Sequence, residues 1–367
     1  MKQVNVLWFT ARSTTDLCAT TQRALIDGLL ERGCTITLYN QNKSVDISHE
    51  RFTHIPFPNK ARRGLQSRTL GKAMQKWLEA NPQRDAVALV EWRVAGWVVP
   101  KLKRQGIPWA LIDRSPPADT GLLARLQWRG WRRAWKSANL LMASGLVVSP
   151  AHKDFVERRT GHPGAVAVQA GVDTELFRPN TPKETFTMVY HGRLDRHRGL
   201  LACAMLAQKA RTEGLEVDMM FIGEGDLFSA LERLADANDF IHVHKSMNQE
   251  ELAPLLGSCH LGLLPMPKRT AWMLASPLKR SEFLASGLPV FGIDHQGHRL
   301  AGVNSDWFTL APQEDFHADG LEVLQRHLNT ERQHSTAARA YAKEHLSWSV
   351  SVDALMGVLV DLHQSES

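Results

Sequence analysis

Acid, base and backbone donors suited to holding a phosphorylated nucleotide cluster in Ser276-Pro277-Leu278-Lys279-Arg280-Ser281-Glu282-Phe283-Leu284-Ala285-Ser286-Gly287-Leu288-Pro289-Val290. Ser276 is a preferred helix N-cap, and Pro277 suits the first helical position. Gly287 stops the helix and Pro289 prevents its continuation. Val290-Phe291-Gly292-Ile293 reads as the next strand. A short helix placed this way starts at the carboxyl edge of a parallel sheet. Its free N–H groups and positive dipole end suit a phosphate. Glu282 lies more than a turn inside, and a carboxylate can accept two hydrogen bonds from a ribose diol. An ordinary helix–strand unit with a surface glutamate fits the same residues, because capping signals recur in most α/β proteins.

A second segment, Tyr190-His191-Gly192-Arg193-Leu194-Asp195-Arg196-His197-Arg198-Gly199-Leu200, follows a strand and opens a helix. Gly192 permits a tight turn. Arg193 and Arg198 sit five apart across that turn and can converge on one anion. A departing nucleoside diphosphate needs such preorganised cations. Two weaker signals are the turn at Gly223 and Glu224 and the strand-ending His244 with Lys245. A plain turn explains the first better, and a solvated loop explains the second at least as well. No His/Cys cluster of metal-site spacing is present, since His191, Asp195 and His197 fit the phosphate loop better; metal-independent chemistry without a cofactor is expected.

These segments need a scaffold that brings loops to one edge. Apolar runs 4–9, 35–39, 86–90, 107–112 and 145–148 read as strands, alternating with helical patterns at 17–32 and 65–80. The second half repeats the rhythm. Strands are expected at 186–191, 217–222, 240–243, 260–264 and 289–293, and helices near 199–213, 226–236, 248–257 and 277–286. A βαβ rhythm predicts parallel sheets with helices on both faces. Two doubly wound domains with a cleft between them follow, with ligands outside the carboxyl ends of the strands. The polar stretch 178–184 is the best linker.

The segment 276–290 resembles the "SPLKxxEYLAxGxPVV" signature of retaining glycosyltransferases of the GT-B fold, family 4 (group 1) type. The segment 190–200 resembles that family's "GRLxxxKG" element, with Arg198 in place of the usual lysine. Arginine offers a planar fork where lysine offers a point charge. Gly171-Val172-Asp173-Thr174-Glu175-Leu176-Phe177-Arg178-Pro179 is similar to the interdomain "NGVDxxxFxP" element, with Ala170 in place of its Asn, and Gly223-Glu224-Gly225 to the turn after the next strand. The resemblance covers residues 145–367 well and the first half in outline.

It implies two Rossmann-like domains facing a central cleft. Residues 1–180 would bind acceptor and residues 181–345 the nucleotide sugar, and a helix over 346–367 would cross back. It implies that Glu282 holds the ribose, that Arg193 and Arg198 clamp the diphosphate, and that Gly192, Gly223, Glu224 and His244 border the donor. The family often carries a second acid eight residues before Glu282; here that residue is Leu274. Lys279 and the backbone of Ser276, Pro277 and Leu278 are expected to substitute. The donor would be UDP- or GDP-linked.

The first half departs further from the pattern. Where relatives often place a histidine, this chain has Ile112-Asp113-Arg114-Ser115. Asp113 can contact a sugar hydroxyl and Arg114 an acceptor phosphate. Arg12 and Glu91 also follow strands at the expected ligand edge. Each reads first as a loop residue rather than a catalytic one, and no general base is assigned.

Charge separates the halves. Residues 1–180 hold 27 Lys and Arg against 14 Asp and Glu, a net of +13, while residues 181–367 are at −7. Much of the excess sits in 60–78 and 122–141, which contain no acid and interleave cations with Trp77, Trp128, Trp131 and Trp135. Basic helices with tryptophans suit an anionic headgroup region; buried helices with a solvated basic face fit as well. A peripheral position on the inner face of the cell membrane is expected.

With 43% hydrophobic and 22% charged residues the composition is globular, and no run of 18 apolar residues exists. The start reads as a buried strand rather than a signal peptide. Four scattered cysteines read as reduced structural thiols of a cytoplasmic protein. Competing readings are a nucleotide-sugar epimerase, a nucleic-acid-binding protein using the basic half, and a non-catalytic glycosyltransferase-like partner. The segment 276–290 argues against the first. No recognisable nucleic-acid module supports the second, so no nucleic acid is expected. Leu274 keeps the third alive.

Overall fold

The computed structural model describes residues 4–14, 19–59, 61–62, 64–117, 121–329 and 335–364, with only the backbone of Leu123 and Asn329. Lys60, Arg63 and Cys18 lie outside the described residues. The chain forms two compact units, Met1–Gln169 with Trp348–Ser367, and Ala170–Ser347.

Unit 1 carries strands β1 (Asn5–Phe9), β2 (Thr35–Asn40), β3 (Phe52–Pro56), β4 (Val87–Glu91), β5 (Trp109–Ile112), β6 (Ser144–Val147) and β7 (Ala165–Ala167). They form one sheet in the order β3-β2-β1-β4-β5-β6-β7, and every pair is parallel. Helices α1 (Ala19–Glu31), α2 (Gln66–Ala80), α3 (Trp92–Arg104), α4 (Leu122–Leu140) and α5 (Pro150–Thr160) make the crossovers. β4 is buried along its whole length, as a central parallel strand covered on both faces must be.

Unit 2 carries β8 (Phe186–His191), β9 (Val217–Ile222), β10 (Ile241–His244), β11 (Leu261–Leu264), β12 (Val290–Ile293) and β13 (Phe308–Ala311). The order is β10-β9-β8-β11-β12-β13, again all parallel. Its helices are α6 (Leu200–Thr212), α7 (Phe228–Ala237), α8 (Gln249–Gly257), α9 (Thr270–Met273), α10 (Leu278–Ala285), α11 (Phe316–Asn329) and α12 (Thr336–His345). A last helix, α13 (Trp348–Gln364), returns to unit 1.

The helix α13 lays Val352, Leu355, Met356 and Leu359 into unit 1's core beside Leu25 and Leu29 of α1. Gly28 permits the approach: a β-carbon there would lie 2.5 Å from Val352. An ion pair of 2.6 Å joins Arg32 to Asp353 at the rim.

The boundary between units lies earlier than the sequence suggested. The polar stretch 178–184 is no linker. Asn180 and Lys183 donate backbone N–H groups to the carbonyls of Gly257 and Ser258 inside unit 2. Edge strands β3, β7 and β13 add to the expected sheets, and β5 starts at Trp109 rather than 107. Cys34, Cys203 and Cys259 are buried free thiols. Among the described residues no helix is long and apolar enough to cross a membrane.

Candidate donor site

In unit 2 the strand order reverses at β8, which has β9 on one side and β11 on the other. The crevice at such a switch point, outside the strands' carboxyl ends, is where doubly wound sheets hold ligands. Six buried residues carry β8 to this edge and deliver His191 there.

The loops after β8 and β9 touch, and glycine makes that possible. Gly192 and Gly223 have φ of 110° and 147°, and a β-carbon on Gly223 would lie 1.8 Å from the Gly192 carbonyl oxygen. Their N–H groups donate to Ile222 and His244. Thus Gly192, Gly223 and the end of the His244 strand form one compact edge. Glu224 contributes its carbonyl to Leu194 N–H, while its side chain is exposed. Burial, with His242 and Lys183 nearby, lowers the His244 pKa.

Arg193 and Arg198 do converge, but on a residue of the chain itself. Arg193 donates to Asp195 at 2.9 Å, and Arg198 Nε lies 3.4 Å from the same carboxylate. Burial alone would raise the Asp195 pKa; the hydrogen bond and charge of Arg193, with Arg198, hold it below the usual range. The Arg198 guanidinium also sits 4.5 Å over the Trp272 ring, which stacks on His197. The Arg193 side chain is exposed while it pairs with Asp195. Trp272 lies in the one-turn helix α9, too short for its sequence to carry a periodic signal.

Lys279 reaches back across the edge. Its Nζ lies 5.1 Å over the Tyr190 ring and within 3.5 Å of where a Gly192 β-carbon would stand. Burial, then the charge of Arg198, pushes its pKa down to about 8, against the pull of Glu282. Glu282 is 4% exposed. His191 Nε2 lies 3.1 Å from Oε2 of Glu282, without hydrogen-bond geometry, and Gln249 donates weakly to Oε1 at 3.5 Å. A buried carboxylate with an oxygen to spare must find another partner or remain costly.

The start of α10 differs from expectation. The N-cap is Pro277, with no side-chain cap bond, and Ser276 instead accepts the Ala170 backbone N–H at 3.1 Å. The hydroxyl is used to tie down the unit's first residue. The first N–H groups of α10, from Leu278 onward, are therefore left without a side-chain cap beside Lys279. Leu274, in the place of the family's second acid, is buried at 7% exposure. Arg280, also missed, is buried and donates to the carbonyls of Gly297, His298 and Arg299, fixing the loop after β12.

Unit 1 divides its four candidates. Glu91, 1% exposed, accepts the Thr10 hydroxyl and the Ala11 N–H at 2.8 and 2.7 Å. Arg12 and Arg93 each stand 3.6 Å from its other oxygen, and Arg12 donates to Ser115. Arg12, Glu91 and Arg114 border one cavity of about 20 Å³. Glu91 therefore braces the loop after β1. Asp113 is a correction. It is fully buried, and its Oδ2 accepts from Trp131, Trp135 and His152 at 2.5, 3.0 and 3.2 Å. Its carboxylate organises the core and is out of reach of an acceptor.

The tryptophans of the basic helices are corrected likewise. Trp131 and Trp135 are fully buried, Trp128 is half-buried against Trp131 and Phe155, and Trp77 packs on Tyr39. Exposed apolar groups of these segments include Leu65 before α2, Leu122 and Leu126 at the start of α4, and Leu140 with Met142 at its end.

No protein-family model and no curated protein matches the sequence. Solved structures do match. Sucrose-phosphate synthase from Thermosynechococcus elongatus superposes with a TM-score of 0.77 at 17% identity, over 100% of both chains. WaaG, a glycosyltransferase involved in lipopolysaccharide biosynthesis, gives 0.69 at 14% identity, over 97% of this chain and 99% of that one. Anabaena HepE in complex with UDP gives 0.67 at 12% identity, over 98% and 100%. With its two parallel Rossmann-like sheets, the chain has the GT-B glycosyltransferase fold.

Proposed function

We propose that the protein is a retaining, family 4-like hexosyltransferase. It moves a sugar from a UDP- or GDP-linked donor to a lipid-linked or glycan acceptor, at the cytoplasmic membrane face and without a metal. The observation that carries this reading is the meeting of Glu282, Lys279, Arg193 and Arg198 at the switch point of unit 2. The UDP found with HepE supports a nucleotide ligand.

In this reading the spare oxygen of Glu282 accepts from the ribose hydroxyls. Lys279, Arg198 and the uncapped N–H groups of α10 neutralise the diphosphate, and Arg193 exchanges Asp195 for it. The bond from the sugar's anomeric carbon to phosphate oxygen breaks, and its electron pair stays on the diphosphate. The acceptor oxygen bonds to that carbon on the same face and passes its proton to the leaving phosphate. Cations fixed before the reaction lower the barrier most, because they need not reorganise. Basic α2 and α4 favour an anionic bilayer beside unit 1.

A second reading, a non-catalytic nucleotide-binding partner, is favoured by the apolar Leu274. Turnover of the donor sugar separates the two.

The test is a thermal-shift screen against UDP, GDP, ADP and dTDP, since a ligand of the native state raises its stability by mass action. One nucleotide should raise Tm clearly, and Glu282→Ala should abolish the shift. No shift with any of them overturns the proposal.

A further inference from the structure

The two arginines of unit 2's switch point are held differently. Both lie beside Asp195, yet the Arg193 side chain is 44% exposed and that of Arg198 only 12%. Asp195 therefore cannot explain the difference; the loop after β11 does. The backbone next to Arg198 is seated on it. Gly199, with φ of 79°, comes so close to the end of β11 that a β-carbon there would stand 2.2 Å from the Pro265 carbonyl oxygen. The guanidinium is seated on the same loop, 4.5 Å over the Trp272 ring. His197 stacks on that ring too, with the two planes 8° apart.

Trp272 is supported from behind. A β-carbon on Gly297, in the loop after β12, would lie 1.9 Å from the Trp272 carbonyl oxygen. Arg280 pins that loop: it is 2% exposed and donates to the carbonyls of Gly297, His298 and Arg299. His295 of the same loop donates from Nε2 to the Met266 carbonyl at 3.1 Å, joining the two loops at their base. A helix of one turn, such as α9, is marginal by itself. These contacts give it a fixed seat, so the indole is a rigid platform rather than a loose cover.

An indole face attracts a guanidinium through its quadrupole and leaves the edge N–H groups for oxygen acceptors. We propose that Trp272 is a positioning residue: it fixes the Arg198 guanidinium before a ligand arrives, so that its N–H groups meet the diphosphate of the nucleotide without reorganising. The proposal rests on the nucleotide-sugar reading, which puts the diphosphate on this cation.

The probe is whichever of UDP, GDP, ADP and dTDP the parent binds most tightly, titrated calorimetrically into the full chain. Loss of a cation–π contact weakens an equilibrium roughly two- to thirtyfold. Trp272→Leu should therefore weaken binding about tenfold. Trp272→Phe keeps a smaller ring, and should weaken it only about two- to threefold at the parent Tm. The phenylalanine variant carries the test should the leucine variant fail to fold. In an Arg198→Ala background neither change should cost further affinity, because the partner of the ring is gone. Equal losses with and without Arg198 make Trp272 a structural residue only and overturn the proposal, as does a phenylalanine no better than leucine. Binding that survives Trp272→Leu unchanged sinks this proposal alone. No binding of any of the four nucleotides by the parent sinks the nucleotide reading, and this proposal with it.

Discussion

His191 Nε2 and Glu282 Oε2 stand 3.1 Å apart, both buried, at the carboxyl end of the central strand of unit 2. One residue ends β8 and the other lies in α10, so the contact ties the two sequence segments into one site. A hydrogen bond to a charged group contributes about 1.5–3 kcal/mol. Glu282→Gln should therefore weaken the preferred nucleotide roughly 10- to 100-fold and leave urea unfolding cooperative. Equal affinity in the variant would remove Glu282 from the site.

Lys279 should make nucleotide binding pH-dependent. Its folded pKa of about 8 lies below the ordinary 10.5. The free protein is therefore relieved of a buried charge, and gains stability, as pH rises from about 8 toward 10.5. A bound diphosphate favours the charged form again. Binding near pH 9 should take up a proton, visible as a calorimetric enthalpy that varies with buffer ionisation, and affinity should fall as pH rises through 8. Lys279→Met should bind weakly with no such buffer dependence. A parent enthalpy independent of buffer contradicts the assignment.

Gly223 admits no substitute. An alanine would combine φ of 147° with a contact of 1.8 Å to the Gly192 oxygen. Strained backbone of this kind costs about 1–3 kcal/mol before the clash is counted. Gly223→Ala should lower the urea midpoint and remove the nucleotide shift together. Retention of both means the two loops have room that the geometry denies them.

Asp113 belongs to stability. Burial alone would raise its pKa, yet the charge and hydrogen bond of His152 and the two indole N–H groups hold it low. A depressed carboxylate pKa stabilises the fold above about pH 4, and that contribution is lost as pH falls through the folded value. Asp113→Ala should cost about 3–5 kcal/mol and flatten the acid limb of the stability curve. Full stability with lost transfer activity would return Asp113 to the acceptor side.

The proposed membrane attachment would use cations and leucines rather than tryptophans. The protein should cosediment with anionic vesicles, not neutral ones, and leave them in high salt. Arg129→Ala and Arg132→Ala should each lower partitioning roughly fivefold, since each cation near the surface contributes about 1 kcal/mol. Binding equal to neutral vesicles, or to neither, ends the idea.

The central strands were legible because each is a short apolar run between helical patterns. β3 was not: Phe52–Pro56 is an edge strand with no buried residue, so burial leaves no pattern. β7 has only three residues. In the donor site, glycines and charges were legible at their turns. The partners of Asp113 were not, because Trp131 and Trp135 lie 18 and 22 residues away and only the fold brings them beneath it. Ser276 carried a true capping signal that Ala170, 106 residues distant, outbid.

The return of α13 to α1 bears on how the chain is born. During synthesis the face of α1 around Leu25, Gly28 and Leu29 emerges early, while Val352, Leu355 and Leu359 emerge only after all of Ala170–Ser347. Unit 2 is contiguous and can fold as it leaves the ribosome. Unit 1 must wait with an apolar stripe uncovered, and that interval is when chaperones would find it.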